Sequence, residues 1–82
     1  MRVKIIEEKL REHFNPEHLE VIDDGEKHRG HAGSAAGAGH YTVVIKSSHF
    51  NEKSKVLCHR EIYQVLNEMI GPEIHALSIK IL

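Results

Sequence analysis

The sequence predicts an α+β fold of order α-β-β-α-β, a three-stranded mixed sheet with two helices on one face. Three observations carry that expectation. Two stretches repeat apolar residues at three- and four-residue steps, and three shorter stretches alternate apolar with polar residues. Proline or glycine closes both helical stretches. The 82 residues, 40% of them hydrophobic, suit one small domain over residues 1–82 with a core two layers deep at most.

In the first helix Val3, Ile6, Leu10 and Phe14 form one apolar stripe, with Glu7, Glu8, Arg11 and Glu12 between them. Asn15-Pro16 ends it, because a residue before proline avoids helical geometry. Residues 19–23 read as a short strand. Residues 24–39 carry five glycines with His28 and His31 and show no periodicity, as expected of a loop. Residues 40–46 form a second strand, with Tyr41, Val43 and Ile45 on one face and Thr42 and Val44 on the other. Residues 47–53 connect it to a second helix, for which Ser54 is the N-cap. Cys58, Ile62, Val65, Leu66 and Met69 make its buried stripe, and Gly71-Pro72 stops it. The last strand runs from about residue 75 to 81, with Leu77, Ile79 and Ile81 alternating with Ser78 and Lys80.

Charge and cysteine usage narrow the function classes. A formal net charge of −1 offers no excess of positive charge for nucleic acid or an anionic membrane. Eight histidines let that charge swing positive where imidazole titrates, near pH ~6.5 when unperturbed. The one cysteine, Cys58, excludes an internal disulfide and a self-contained cysteine metal cage, and suits a reducing compartment. Acidic residues stand near the N-terminus where a signal peptide would be apolar, and no stretch reaches the length of a membrane span. No serine lies in a recognisable nucleophile motif, and so small a domain leaves little room for a substrate pocket, so an enzyme is not expected.

Strand direction has a functional consequence. Strands one and two, joined by a loop, should be antiparallel; strands two and three, joined by one crossover helix, should be parallel. His40 and His75 then open their strands at the same end of the sheet, and the 24–39 loop hangs from that end. His28, His31, His40 and His75 can therefore gather at one edge.

The chain resembles the BolA family over nearly its whole length. The matching pieces are Leu19-Glu20-Val21-Ile22-Asp23, Gly30-His31-Ala32-Gly33, His40-Tyr41, Phe50 with Lys53-Ser54, His59-Arg60 with Tyr63, and His75-Ala76-Leu77-Ser78-Ile79. Together they are specific, although each alone is weak. The resemblance implies an α-β-β-α-β fold related to the class II KH domain. It also implies an adaptor that binds a monothiol glutaredoxin and shares with it a two-iron, two-sulfur cluster, in iron–sulfur trafficking or in iron or redox regulation. On that resemblance His75 is one cluster ligand and His31 the other, with His28 as the alternate loop ligand. The partner's cysteine and its glutathione complete the site, so the isolated chain is expected to be a monomer without a stable cluster. The alternative implied role is a DNA-binding transcriptional regulator of stress response and cell morphology that uses the second helix. Its compartment would be the bacterial cytoplasm or, in a eukaryote, the mitochondrial or plastid matrix. The chain departs from the family pattern at Glu52, where glycine is usual, and at Cys58, where arginine is usual. Both departures make the second helix region less basic.

Each candidate residue also has a plain structural reading. His75 could be a strand-end histidine bonded to nearby backbone, and His31 and His28 could be solvated loop residues. His40 could sit behind the ligands or pack beside Tyr41. Cys58 lies on the apolar stripe and reads as a small buried hydrophobe. His13, His18 and His49 have no clustering argument and read as surface residues. Lys53, Lys55, His59 and Arg60 form a modest basic patch, fit either for solvent or for phosphate. Gly30-His31-Ala32-Gly33 has the spacing of a nucleic-acid clamp but lies between strands, so RNA binding by that route is not expected.

Overall fold

A computed structural model describes residues 2–24 and 39–82. The helix α1 (Arg2–Phe14) leads into β1 (His18–Asp23). After it come β2 (Gly39–Lys46), a 3₁₀ turn (Ser48–Phe50), α2 (Lys55–Val65) and β3 (Ile74–Ile81). The sheet order is β1-β2-β3, with β1 antiparallel and β3 parallel to the central strand. The expected topology therefore stands, with each strand starting one residue before the position read from sequence.

One face of the sheet makes the core. Ile6, Leu10 and Phe14 of α1, Tyr41, Val43 and Ile45 of β2, and Cys58 and Ile62 of α2 are all buried in a single cluster. The period-two alternation of β2 and the apolar stripes of the helices meet there, as their spacing requires. The opposite face carries Glu20, Ile22, His40, Thr42, Val44, Ser78 and Lys80, none of them buried.

Helix ends follow local chemistry. Asn15 stops α1 in the left-handed region at φ 43, with its N–H donating to Arg11 O at 3.0 Å. Asparagine tolerates that conformation better than most side chains. The Pro16 boundary was legible, but the extended geometry expected of Asn15 gives way to a left-handed cap. Ser54 caps α2 as expected, its Oγ accepting from Leu57 N–H at 3.1 Å.

The far end of α2 corrects the sequence reading. The helix closes at Val65, not at Gly71-Pro72. Leu66 and Met69 remain buried, but the chain tightens into turns, with Met69 N–H on Leu66 O at 2.9 Å. Gly71, at φ 100, then lets its N–H reach Ile74 O at 2.9 Å. An apolar stripe cannot distinguish three-residue turns from continued α-helix, because both keep Leu66 and Met69 on one side.

Candidate functional site

Two imidazoles meet at one end of the sheet. His40 opens the central strand and His75 opens its parallel neighbour, so strand direction alone places them together. Their ring centroids lie 5.2 Å apart at an interplanar angle of 45°. The register explains how His75 gets there. Gly39 pairs with Ile74 but His40 pairs with Ala76, so His75 is an extra residue bulged out of β3. A bulge turns its side chain out of the regular alternation; Ile74 is buried, while His75 and Ala76 are both exposed.

Close packing holds this end in place. Gly39 donates its N–H to Glu73 O at 2.9 Å, which ties the starts of β2 and β3 together. A Cβ on Gly39 would stand 2.8 Å from Tyr41 Cε2 and Oη, so only glycine lets the buried Tyr41 ring lie back along its own strand. On the open face Thr42 Oγ1 donates to Asp24 Oδ2 at 2.5 Å, which fixes the residue just after β1.

The donor set is imidazole without thiolate, since Cys58 is 1% exposed and lies in the core. The exposed His75 ring, packed on the half-buried His40, is chemically suited to serve as one imidazole donor of a metal site. No group of three or more His, Cys, Asp or Glu that could hold a metal ion exists among the described residues. Any further donor must come from residues 25–38 or from a second molecule. His28 and His31, the expected loop ligands, lie outside the described residues.

The basic patch is smaller than its sequence. Lys53 Nζ donates to Glu61 Oε2 at 3.1 Å and to Oε1 at 3.3 Å, so its charge is already matched. Lys55 and Arg60 are exposed and His59 is half-buried. Tyr63, on the same helix, donates its hydroxyl to Leu77 O at 3.1 Å on β3.

One cluster went unread in the sequence. His49 is exposed, as expected, but it is not isolated: its Nε2–H donates to Glu61 Oε1 at 2.8 Å, and its ring lies 5.1 Å from Phe14 and 5.5 Å from Phe50. The hydrogen bonds from His49 and then Lys53 hold the Glu61 carboxyl below its ordinary value, against the opposing effect of burial. His13, Phe14, His49, Glu61, Gln64 and Val65 line a groove of about 320 Å³ beside this cluster. The i, i+4 spacing of His49 and Lys53 was the one available signal, and it does not reveal Glu61 as their common partner.

Such a fold, with both helices on one face and imidazoles bared where two parallel strands begin, defines a small α+β domain that presents one end of its sheet. The profile of the family described as "BolA-like protein" matches residues 10–82, and the chain belongs to that family. It is 40% identical over 74 residues to the DNA-binding transcriptional regulator BolA of Escherichia coli, covering 90% of this chain and 68% of that one. It is 37% identical over 76 residues to the protein of the same name from Haemophilus influenzae, covering 93% and 71%. Among solved structures it matches the BolA domain of SufE1 from Arabidopsis thaliana with a TM-score of 0.83 and 39% identity, over 98% of this chain and 88% of that one. BolA1 from the same plant matches with a TM-score of 0.84 and 33% identity, over 99% and 89%. No helix among the described residues is long and apolar enough to cross a membrane.

Proposed function

We propose that this chain is a BolA-like adaptor that binds a monothiol glutaredoxin and shares a two-iron, two-sulfur cluster with it. The observation that carries the reading is the pairing of His40 and His75 at an exposed sheet end with no thiolate beside them. Such a chain offers imidazole donors and needs thiolates from another molecule. His75 is the ligand from the bulge, His31 the ligand from the 25–38 segment with His28 as its alternate, and His40 packs behind His75. When bound, the cluster supplies a transferable iron–sulfur unit whose potential is raised by replacing thiolates with imidazoles. The chain's own part is to hold the His75 imidazole at the end of the sheet, packed against His40. The glutaredoxin and its glutathione supply the thiolate half. On this reading the isolated chain is a monomer, holds no stable cluster and catalyses nothing by itself.

Reconstitution with the monothiol glutaredoxin of the same organism tests the proposal. A mixed complex with iron–sulfur absorption is expected, and His75→Ala should bleach it or shift its spectrum and potential. His31→Ala should act more mildly, with His28 three residues away, and His13→Ala should change nothing. A His75→Ala complex with the wild-type spectrum and potential would return His75 to the role of a strand-end histidine.

The second reading, a DNA-binding regulator, is favoured by the names of the Escherichia coli and Haemophilus influenzae relatives and by Lys55 and Arg60 on α2. The pairing of Lys53 with Glu61 weighs against it.

A further inference from the structure

We infer that Tyr63 guards the outer edge of β3 and keeps that strand from pairing with β3 of a second copy of this chain; the role does not depend on the adaptor reading above. Among the described residues β3 is an edge strand, with β2 on one side. Parallel pairing turns the backbone groups of alternate residues toward the neighbouring strand and those between them away from it. Leu82 N–H donates to Ile45 O at 2.9 Å, and Ile45 pairs with Ile81. The peptide groups of Leu77, Ile79 and Ile81 therefore face outward from the sheet. Their side chains are half-buried against the core. A further strand laid beside them would deepen that burial while extending the ladder of hydrogen bonds.

One contact interrupts that edge. The Tyr63 hydroxyl, carried by α2, donates to Leu77 O at 3.1 Å. An outward carbonyl is the acceptor an incoming strand needs, and here a side chain of the protein's own helix takes it. The bulge at His75 ends the regular edge just before this point, so regular pairing runs over residues 76–81. Ile79 is the middle one of the three outward residues. A second copy running antiparallel about Ile79 sets Leu77 of each chain opposite Ile81 of the other on the core face, and Lys80 opposite Ser78 on the open face. No like charges directly face each other in that register. What stands in its way is Tyr63, because Leu77 O is the acceptor for the incoming Ile81 N–H. The other edge strand, β1, carries Glu20 and Asp23, acidic side chains of the kind that discourage edge pairing by themselves. The more apolar β3 relies on the tyrosine.

Sedimentation velocity of the full chain over a concentration series, with amide hydrogen exchange at Ile79 and Ile81, tests the inference. Wild type is expected to sediment as a monomer throughout, with both amides exchanging at a rate independent of concentration. Tyr63→Ala, which removes ring and hydroxyl, should dimerise, and its Ile79 and Ile81 amides should slow several-fold as concentration rises. Tyr63→Phe, which removes the hydroxyl alone, should show the same change more weakly. Adding Ile81→Pro to Tyr63→Ala should restore the monomer. The Ile81 N–H faces outward, so proline there removes no bond to β2 but does remove the donor that the second copy would use. Monomers at every concentration in both Tyr63 variants, with wild-type exchange at Ile79 and Ile81, overturn the inference. A dimer that survives Ile81→Pro, or one whose two amides exchange as in the monomer, overturns it as well. So does a wild-type chain that already dimerises with these amides protected. If Tyr63→Ala fails to fold by circular dichroism, Tyr63→Phe decides: protection of Ile79 and Ile81 that grows with concentration supports the guard, and unchanged protection overturns it.

Discussion

Glu52 occupies the left-handed region at φ 64, in the turn after Phe50. A side chain there costs roughly 1 kcal/mol or more, which is why glycine suits such a position. Replacing Glu52 by Gly removes that cost but frees the unfolded chain by about 0.4–1 kcal/mol. Glu52→Gly should therefore leave the denaturation midpoint unchanged or raise it, while the β-branched Glu52→Val should lower it clearly. A large loss of stability in Glu52→Gly would show that the glutamate side chain has a role the turn geometry does not express. Glu61 yields a second prediction at the same scale. Its folded-state pKa is depressed, so its contribution to stability is present above the unfolded value and lost as pH falls through the folded one. The gap in stability between wild type and Glu61→Gln should be full above the ordinary glutamate value and should shrink as pH falls below it, as followed by urea titration at several pH values. A gap of constant size down to pH 3 would contradict the assignment of His49 and Lys53 as the groups that hold the carboxylate charged.

The elements show where sequence was sufficient and where it was not. His40 and His75 could be placed together because strand direction follows from the type of connection, and a single crossover helix forces parallel pairing. The bulge that bares His75 was not legible, since Ile74 and Leu77 both fit a buried face and nothing in the spacing says where the alternation breaks. His49 and Glu61 escaped for a different reason. Their contact depends on how the 3₁₀ turn lies against α2, a tertiary distance that neither helix periodicity nor strand alternation encodes. The length of α2 was overread because Leu66 and Met69 keep the apolar stripe through turns that are no longer α-helical. The starts of β2 and β3 give a sharper test. Gly39→Ala would push a methyl against the Tyr41 ring, with the nearest atoms at 2.8 Å. Overpacking of this kind costs about 1–3 kcal/mol. Because Gly39 also links to Glu73 just ahead of His75, its replacement should broaden the His40 and His75 imidazole signals as well as lower the midpoint. A Gly39→Ala chain with wild-type stability and unchanged imidazole signals would mean that Tyr41 moves aside freely.

For the whole molecule, the charge balance makes DNA affinity the informative measurement. With a net charge of −1 and Lys53 matched by Glu61, Lys55 and Arg60 are the exposed cations of the basic patch. Two or three phosphate contacts give a salt slope of only about −2 to −3 on duplex DNA. Binding at physiological salt should therefore be weak and nearly independent of sequence. Nanomolar, sequence-selective binding that vanishes in the Lys55→Ala, Arg60→Ala double variant would put the regulator reading first. The relatives named as DNA-binding regulators give that outcome a concrete form to look for.

The parallel pairing of β2 with β3 also sets a clock. An antiparallel hairpin such as β1–β2 can register locally, but Tyr41 meets Leu77 only after the whole of α2 has been laid down between them. Contacts so distant along the chain charge their loop-closure entropy before they return any burial, and they slow the search. Forming the imidazole pair therefore requires β3 to dock beside β2, and any loss of that docking separates His40 from His75. Presentation of His75 beside His40 is thus a property of the finished sheet alone, reached only by molecules whose final strand has docked.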